Sequence, residues 1–245
     1  MSAAQAAPLL HGEEASGGWS VIAARRTGES HARRRERGQD AFALRHADGV
    51  LVAAVADGAG SAPRGGAGSA LAVRSMAQSA TRWLADSPLD ALTDAEVETW
   101  VDSTRERLAD AAGRNGLALR DCATTLILCL SDGGQTLVAH IGDGAAVARG
   151  ASGGWQALSW PAGGEHAGST YFLTDETPAL RLTRHTAPVT ALALFTDGLE
   201  RLVLDFAEGT AHGPFFDRIA KPLDSLTTPG RDAALSRRAP MTTAR

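Results

Sequence analysis

The sequence predicts an α+β fold in which antiparallel β-sheets carry helices. Three observations predict it. Short apolar runs are joined pairwise by tight Asp-Gly and Gly-Gly turns, the connection that antiparallel neighbours use. Between residues 65 and 113 the apolar spacing becomes helical. Strand-like runs then resume, so the two helices are inserted between strand pairs and do not alternate with strands as a parallel sheet demands.

Residues 1–17 are rich in Ala, Gly and Glu without a period and are expected to form a disordered tail, leaving 18–245 as a single domain. Trp19 to Ala24 reads as a first strand, followed by a polar, Arg-rich loop. Ala41 to Arg45 and Val50 to Ala56 read as strands flanking a turn at Ala47-Asp48-Gly49. Gly65 to Leu84 places Leu71, Met76 and Trp83 at helical spacing among alanines. A second helix opens at Thr93-Asp94-Ala95-Glu96, where Thr93 can cap the Glu96 amide while Glu96 reaches back. Val97, Trp100, Val101, Thr104 and Leu108 mark one face of it, and Gly113 to Gly116 ends it. Trp83 and Trp100 are read as core packing. Ala123 to Leu130 is a continuous apolar strand turning at Asp132-Gly133-Gly134. Thr136 to Ile141 returns, Gly142-Asp143-Gly144 turns again, and Ala145 to Ala148 leaves. Residues 151–190 are Gly/Pro/Thr-rich with short strand-like pieces, and Ala191 to Phe195 is a further strand ending in Thr196-Asp197-Gly198.

The 245 residues are 44% hydrophobic and 21% charged, an ordinary globular balance. The net charge of −4 supplies no basic excess for nucleic acid. The two cysteines, Cys122 and Cys129, lack CxxC spacing, which argues against a disulfide framework or a zinc site. There is no basic segment leading into an apolar leader, and no apolar run nears the roughly 18 residues of a membrane span. A soluble, cytoplasmic protein without nucleic-acid or membrane partners is the expectation.

Residues 50–63 read VLVAAVADGAGSAP: an apolar strand driven into Asp57, then almost no side chain of any bulk. Asp143-Gly144 and Asp197-Gly198 repeat the pattern, and Asp40 begins another strand. Asp-Gly is a common turn dipeptide, and Asp48-Gly49 and Asp132-Gly133 are read as turns alone. Several carboxylates at neighbouring strand tips, however, repel one another unless a cation sits among them. Hard divalent cations take carboxylate, carbonyl and water oxygens. A glycine after the Asp leaves room for such an ion, water and a bulky substrate group.

Six stretches occur in the order of a known family: SHARRRERGQDAF (30–42), VAAVADGAGSA (52–62), CATTLILCL (122–130), VAHIGDGAAV (138–147), GEHAGSTYFLT (164–174) and ALFTDGL (193–199). They resemble the metal-dependent serine/threonine protein phosphatases of type 2C, specifically the bacterial branch. The resemblance implies a sandwich of two antiparallel sheets flanked by helices, with two Mn²⁺ or Mg²⁺ ions at one end. It implies Asp57 as bridging ligand, Gly58 as carbonyl ligand and Asp197 as a ligand of one ion. Asp40 would hold water near the ions, and Asp143 would serve a further, weaker ion. Arg33 fits the local SHxR pattern and Arg35 the spacing to Asp40, so both are candidates for gripping the substrate phosphate. An arginine fork suits that task; a merely solvated loop is the competing reading of the Arg33 to Arg37 run. The implied substrate is a phosphorylated protein, hydrolysed at phosphoserine or phosphothreonine by activated water, and a cognate serine/threonine kinase is the implied partner in signalling.

The chain departs from the family at two places. Ala59 stands where many members carry a candidate general-acid His. His31, His140 and His166 are the histidines that could be nominated instead, and each is better read as structural or solvent-facing. The family also closes with an Asp-rich segment and a terminal strand, whereas this chain ends LSRRAPMTTAR. Asp224 and Asp232 are the nearest carboxylates to substitute. Met241-Thr242 is encoded ATG ACN, and a shifted frame turns that into an Asp codon, GAC. The expectation is a frameshifted or truncated C-terminus lacking the final strand, which sequencing the 3′ end would check. Two rival readings follow. The first is an inactive phosphatase-fold regulator or phosphoprotein-binding module. The second is nucleotide binding by DGAGSAPRGGAGSA, which lacks both GxGxxG and Gly-Lys-Ser/Thr.

Overall fold

The computed structural model describes residues 19–25, 38–162, 170–221 and 223. β1 (Asp40–Ala47) and β2 (Val50–Asp57) form a hairpin. Its turn holds Asp48 at φ 47° and Gly49 at φ 79°, the left-handed pair that matches the twist of a two-residue hairpin. β3 (Leu126–Ser131), β4 (Thr136–Ile141) and β7 (Arg181–His185) extend it to a five-stranded sheet in the order β1-β2-β3-β4-β7. β5 (Ala145–Gly150), β6 (Trp155–Ser159) and β8 (Val189–Phe195) make a second sheet, ordered β6-β5-β8. Every pairing is antiparallel. Helices α1 (Gly65–Asp86) and α2 (Asp94–Gly113) lie between β2 and β3 in the chain. The single turn α3 (Glu200–Val203), the two-residue pair β9 (Leu204–Asp205) and β10 (Thr210–Ala211), and α4 (Gly213–Ala220) follow β8.

The period of two in the strands sorts side chains into layers. Leu126, Leu128 and Leu130 of β3 and Leu137, Ala139 and Ile141 of β4 pack under α1 and α2 against Met76, Leu84, Val97 and Leu108. The intervening Ile127, Cys129 and Val138 face the second sheet, meeting Ala146, Ala148, Leu158 and Val189. The outer face of that sheet presents Ala145, Val147 and Phe195 to Val203, Leu204 and Phe216. The result is a two-sheet sandwich with helices on both outer faces, as expected. β3 and β4 are buried along their whole length, which explains why they read as continuous apolar runs. Cys129 lies wholly inside, where burial pushes its thiol up to about 12 and leaves it inert.

Two strand expectations are corrected. Residues 19–25, including the expected strand Trp19 to Ala24, have no regular structure. Trp19 packs its ring against the inter-sheet cluster and so anchors the segment by its side chain. The third strand starts at Leu126, not Ala123. Leu119–Cys122 form a 3-10 turn, and Thr124 and Thr125 turn their donors onto Asp57 before the ladder begins. The tail 1–17, the Arg33 to Arg37 loop and the segment ending LSRRAPMTTAR lie outside the described residues.

The Thr93 cap is present: its hydroxyl accepts from the Glu96 amide at 3.2 Å. Thr93→Ala is expected to cost about 1 kcal/mol, seen as a thermal midpoint lower by roughly 2–4 °C.

Candidate active site at the strand ends

Topology brings the acidic strand tips together. Asp40 starts β1 and Asp57 ends β2, and the hairpin register sets them directly opposite each other. Asp143 stands two residues before β5 and Asp197 two residues after β8, and the register Ala145↔Phe195 puts those ends side by side in the second sheet. The Gly142-Asp143-Gly144 turn carries the chain from one sheet to the other. A Cβ on Gly144 would lie 2.6 Å from the Phe195 carbonyl oxygen, so glycine there lets the turn close onto β8 beside Asp197.

The electrostatics report the convergence. Asp57 is pushed up from 3.8 to about 8, first by burial and then by the charges of Asp40, Asp197 and Asp143. Its carboxyl is in hydrogen-bonding reach of both Asp40 and Asp197. Asp197 is raised by burial, then by Asp143 and Asp40. Without a cation, burial and mutual repulsion oppose full ionisation of this cluster.

The backbone of Asp57 is held on both sides. Its amide donates to Thr125 Oγ1 at 2.9 Å, and its carbonyl accepts from the Thr125 amide at 2.8 Å and from Thr124 Oγ1 at 3.0 Å. Thr170 Oγ1 donates to Asp143 Oδ2 at 2.5 Å. The bare sequence after Asp57 has a packing cause as well as the expected openness. A Cβ on Gly58 would fall 2.2 Å from the carbonyl carbon of Gly65, so the start of α1 sits directly on the end of β2. At Gly60 the space is open.

Sequence reasoning missed Thr124, Thr125, Thr170 and Glu200. Paired threonines inside an otherwise apolar run were the available signal, since a strand with no polar duty takes Val as readily. Glu200 stands one helical turn after Asp197; burial, then Asp197 and Asp143, raise its carboxyl. His140 is completely buried, 2.6 Å from Ser159 Oγ, and burial followed by Arg181 lowers it to about 3. It sits inside the sandwich with no solvent exposure from which to meet a substrate. Arg33, Arg35, His31, His166, Asp224 and Asp232 lie outside the described residues.

Among the described residues no three acidic, imidazole or thiol groups already stand at the spacing that would grip one ion. The chemistry of the donor set still fits a hard divalent cation: carboxylate oxygens alone, mutually repelling and half-buried.

Residues 27–237 match the sequence profile of protein phosphatase 2C. The chain belongs to the protein phosphatase 2C family. Within the family, it is 38% identical over 125 residues to serine/threonine-protein phosphatase 3 of Escherichia coli K12. That match covers 50% of this chain and 49% of the relative, so the chain is aligned to about half of that protein's length. In three dimensions it resembles a bacterial serine phosphatase at a TM-score of 0.54 and 16% identity, covering 82% of this chain and 85% of the other. A serine/threonine phosphatase from S. agalactiae gives 0.52 and 18%, covering 82% and 86%. These structures share the fold of the 2C phosphatases. No described helix is long and apolar enough to cross a membrane.

Proposed function

We propose that the chain is a metal-dependent protein serine/threonine phosphatase that hydrolyses phosphoserine and phosphothreonine in protein substrates. The convergence of Asp40, Asp57, Asp143 and Asp197 at one end of the sandwich carries the reading. In it, Asp57, the Gly58 carbonyl and Asp197 hold Mn²⁺ or Mg²⁺, Asp143 serves a further weaker ion, and Asp40 orients water. When bound, such cations supply Lewis acidity and a water of lowered pKa. The protein's own part is placement. Thr124 and Thr125 pin the Asp57 backbone, the β1–β2 register aims Asp40 at Asp57, and Thr170 fixes one oxygen of Asp143. A phosphate monoester dianion is repelled by the bare acids, so substrate and cation bind together; Arg33 or Arg35 is assigned the phosphate grip. Ala59 itself offers no imidazole to the leaving alkoxide. A kinase acting on the same proteins is the natural counterpart.

The test is hydrolysis of a phosphothreonine peptide with Mn²⁺, with Mg²⁺ and after chelation. Activity that requires the ion supports the proposal; a folded protein that binds Mn²⁺ yet releases no phosphate overturns it in favour of a phosphoprotein-binding regulator.

A pH prediction follows for the metal-free protein. The raised Asp57 contributes stability that is full below 3.8 and is lost as pH climbs through about 8. The lowered His140 works oppositely, contributing above 6.5 and losing as pH falls toward about 3. Between pH 6.5 and 8 the Asp57 slope stands clear of His140, so the thermal midpoint is expected to fall there. Added Mn²⁺ should recover more at pH 8 than at pH 5, read by scanning calorimetry.

A further inference from the structure

Arg181 Nη2 has two hydrogens and two acceptors on neighbouring elements: His140 Nδ1 at 3.0 Å and the Gly142 carbonyl oxygen at 3.3 Å. A guanidinium can only donate. His140 Nδ1 is therefore the acceptor in this contact. Ser159 Oγ, 2.6 Å from the same nitrogen, ties this arrangement to β6, so the group spans both sheets inside the sandwich. The Gly142 carbonyl also receives the Ala162 amide at 3.0 Å.

Gly142 is itself constrained. It has φ 115°, and a Cβ there would lie 2.6 Å from Thr125 Cγ2 and 3.3 Å from the Tyr171 carbonyl oxygen. Thr125 is the residue that holds the Asp57 amide. The turn bearing Asp143 is thus clamped between Thr125 on one side and the Ala162 and Arg181 donors on the other.

We propose that Arg181 is a positioning residue for Asp143: it fixes the Gly142-Asp143-Gly144 turn through the Gly142 carbonyl, with the His140 imidazole as its second anchor. Its hydrogen bonds run to the turn and to His140, whereas the largest pressures on Asp57 and Asp197 are burial and other carboxylates. The guanidinium acts through backbone geometry. The consequence for ion binding rests on the phosphatase reading; the consequence for the turn does not.

Arg181→Met and Arg181→Lys are compared with the wild type in two measurements. Hydrogen–deuterium exchange over residues 140–147 needs no metal. Arg181→Met should speed it about tenfold, the scale of a lost charge-assisted bond, and leave α1 unchanged, while Arg181→Lys restores part of the protection. Unchanged exchange, or a rise spread evenly over the molecule, overturns the proposal. In the second, the Mn²⁺ half-saturation of peptide hydrolysis should rise in Arg181→Met with kcat at saturation held. That rise should vanish in an Asp143→Asn background, because the two residues act in series. An equal rise in both backgrounds overturns the link to Asp143. If the wild type hydrolyses nothing, the phosphatase reading fails and the exchange result still decides the role of Arg181.

Discussion

Asp57→Asn is expected to lower Mn²⁺-dependent phosphopeptide hydrolysis by about a thousandfold while raising the thermal midpoint of the metal-free protein at pH 8. Both effects have one cause. Asp57 is the acid on which burial and three other carboxylates converge. In the proposed mechanism it would be one of the carboxylates holding the cation, whose Lewis acidity is worth several kcal/mol; at 1.36 kcal/mol per tenfold, that is about three decades of rate. The same substitution removes the group that must ionise against its neighbours, so the metal-free fold is relieved. A midpoint gain of several degrees at pH 8 that disappears at pH 4 would be the signature. A variant that loses activity and stability together would instead mark Asp57 as a structural residue.

Gly58→Ala carries the second large effect. The added Cβ would meet the Gly65 carbonyl carbon at 2.2 Å, the Gly65 oxygen at 2.3 Å and the Gly66 nitrogen at 2.7 Å. These are backbone atoms at the start of α1, so no rotamer can clear the overlap and the helix itself must shift. Overpacking at a site that cannot yield costs about 3 kcal/mol or more, expected as a midpoint lower by roughly 6–12 °C. Gly60→Ala is the control, since nothing lies within 4 Å of its added carbon. Equal behaviour of the two variants in a thermal melt would contradict the close approach of α1 to β2.

What could be read in advance follows from what is local. β4 was legible to the residue because glycines bound it and every position is apolar or buried. α2 was legible from Thr93 and its apolar stripe. β7 hid in RLTRH, an edge strand with too much charge to show a pattern. Trp19 to Ala24 carried strand propensity without a strand partner, and tertiary context overrode it. At the site, each Asp was visible as a carboxylate closing an apolar run. Their meeting point was not, because β5 pairs with β8 across some forty residues of intervening chain, and spacing does not encode which strands become neighbours. Thr125 and Arg181 were invisible for the same reason: their partners lie 68 and 39 residues away in the chain.

The seam between the sheets is filled by Ile127, Cys129 and Val138 from one side and by Ala146, Ala148, Leu158 and Val189 from the other. Asp40 and Asp57 ride on one slab, Asp143 and Asp197 on the edge of the other, so the gap between opposing acids is a dimension of the whole body, as the opening of a calliper is set at its hinge. A bulkier residue at Ala148 would spread the jaws without touching them, and an ion clenched in the mouth would resist any shear of one slab over the other.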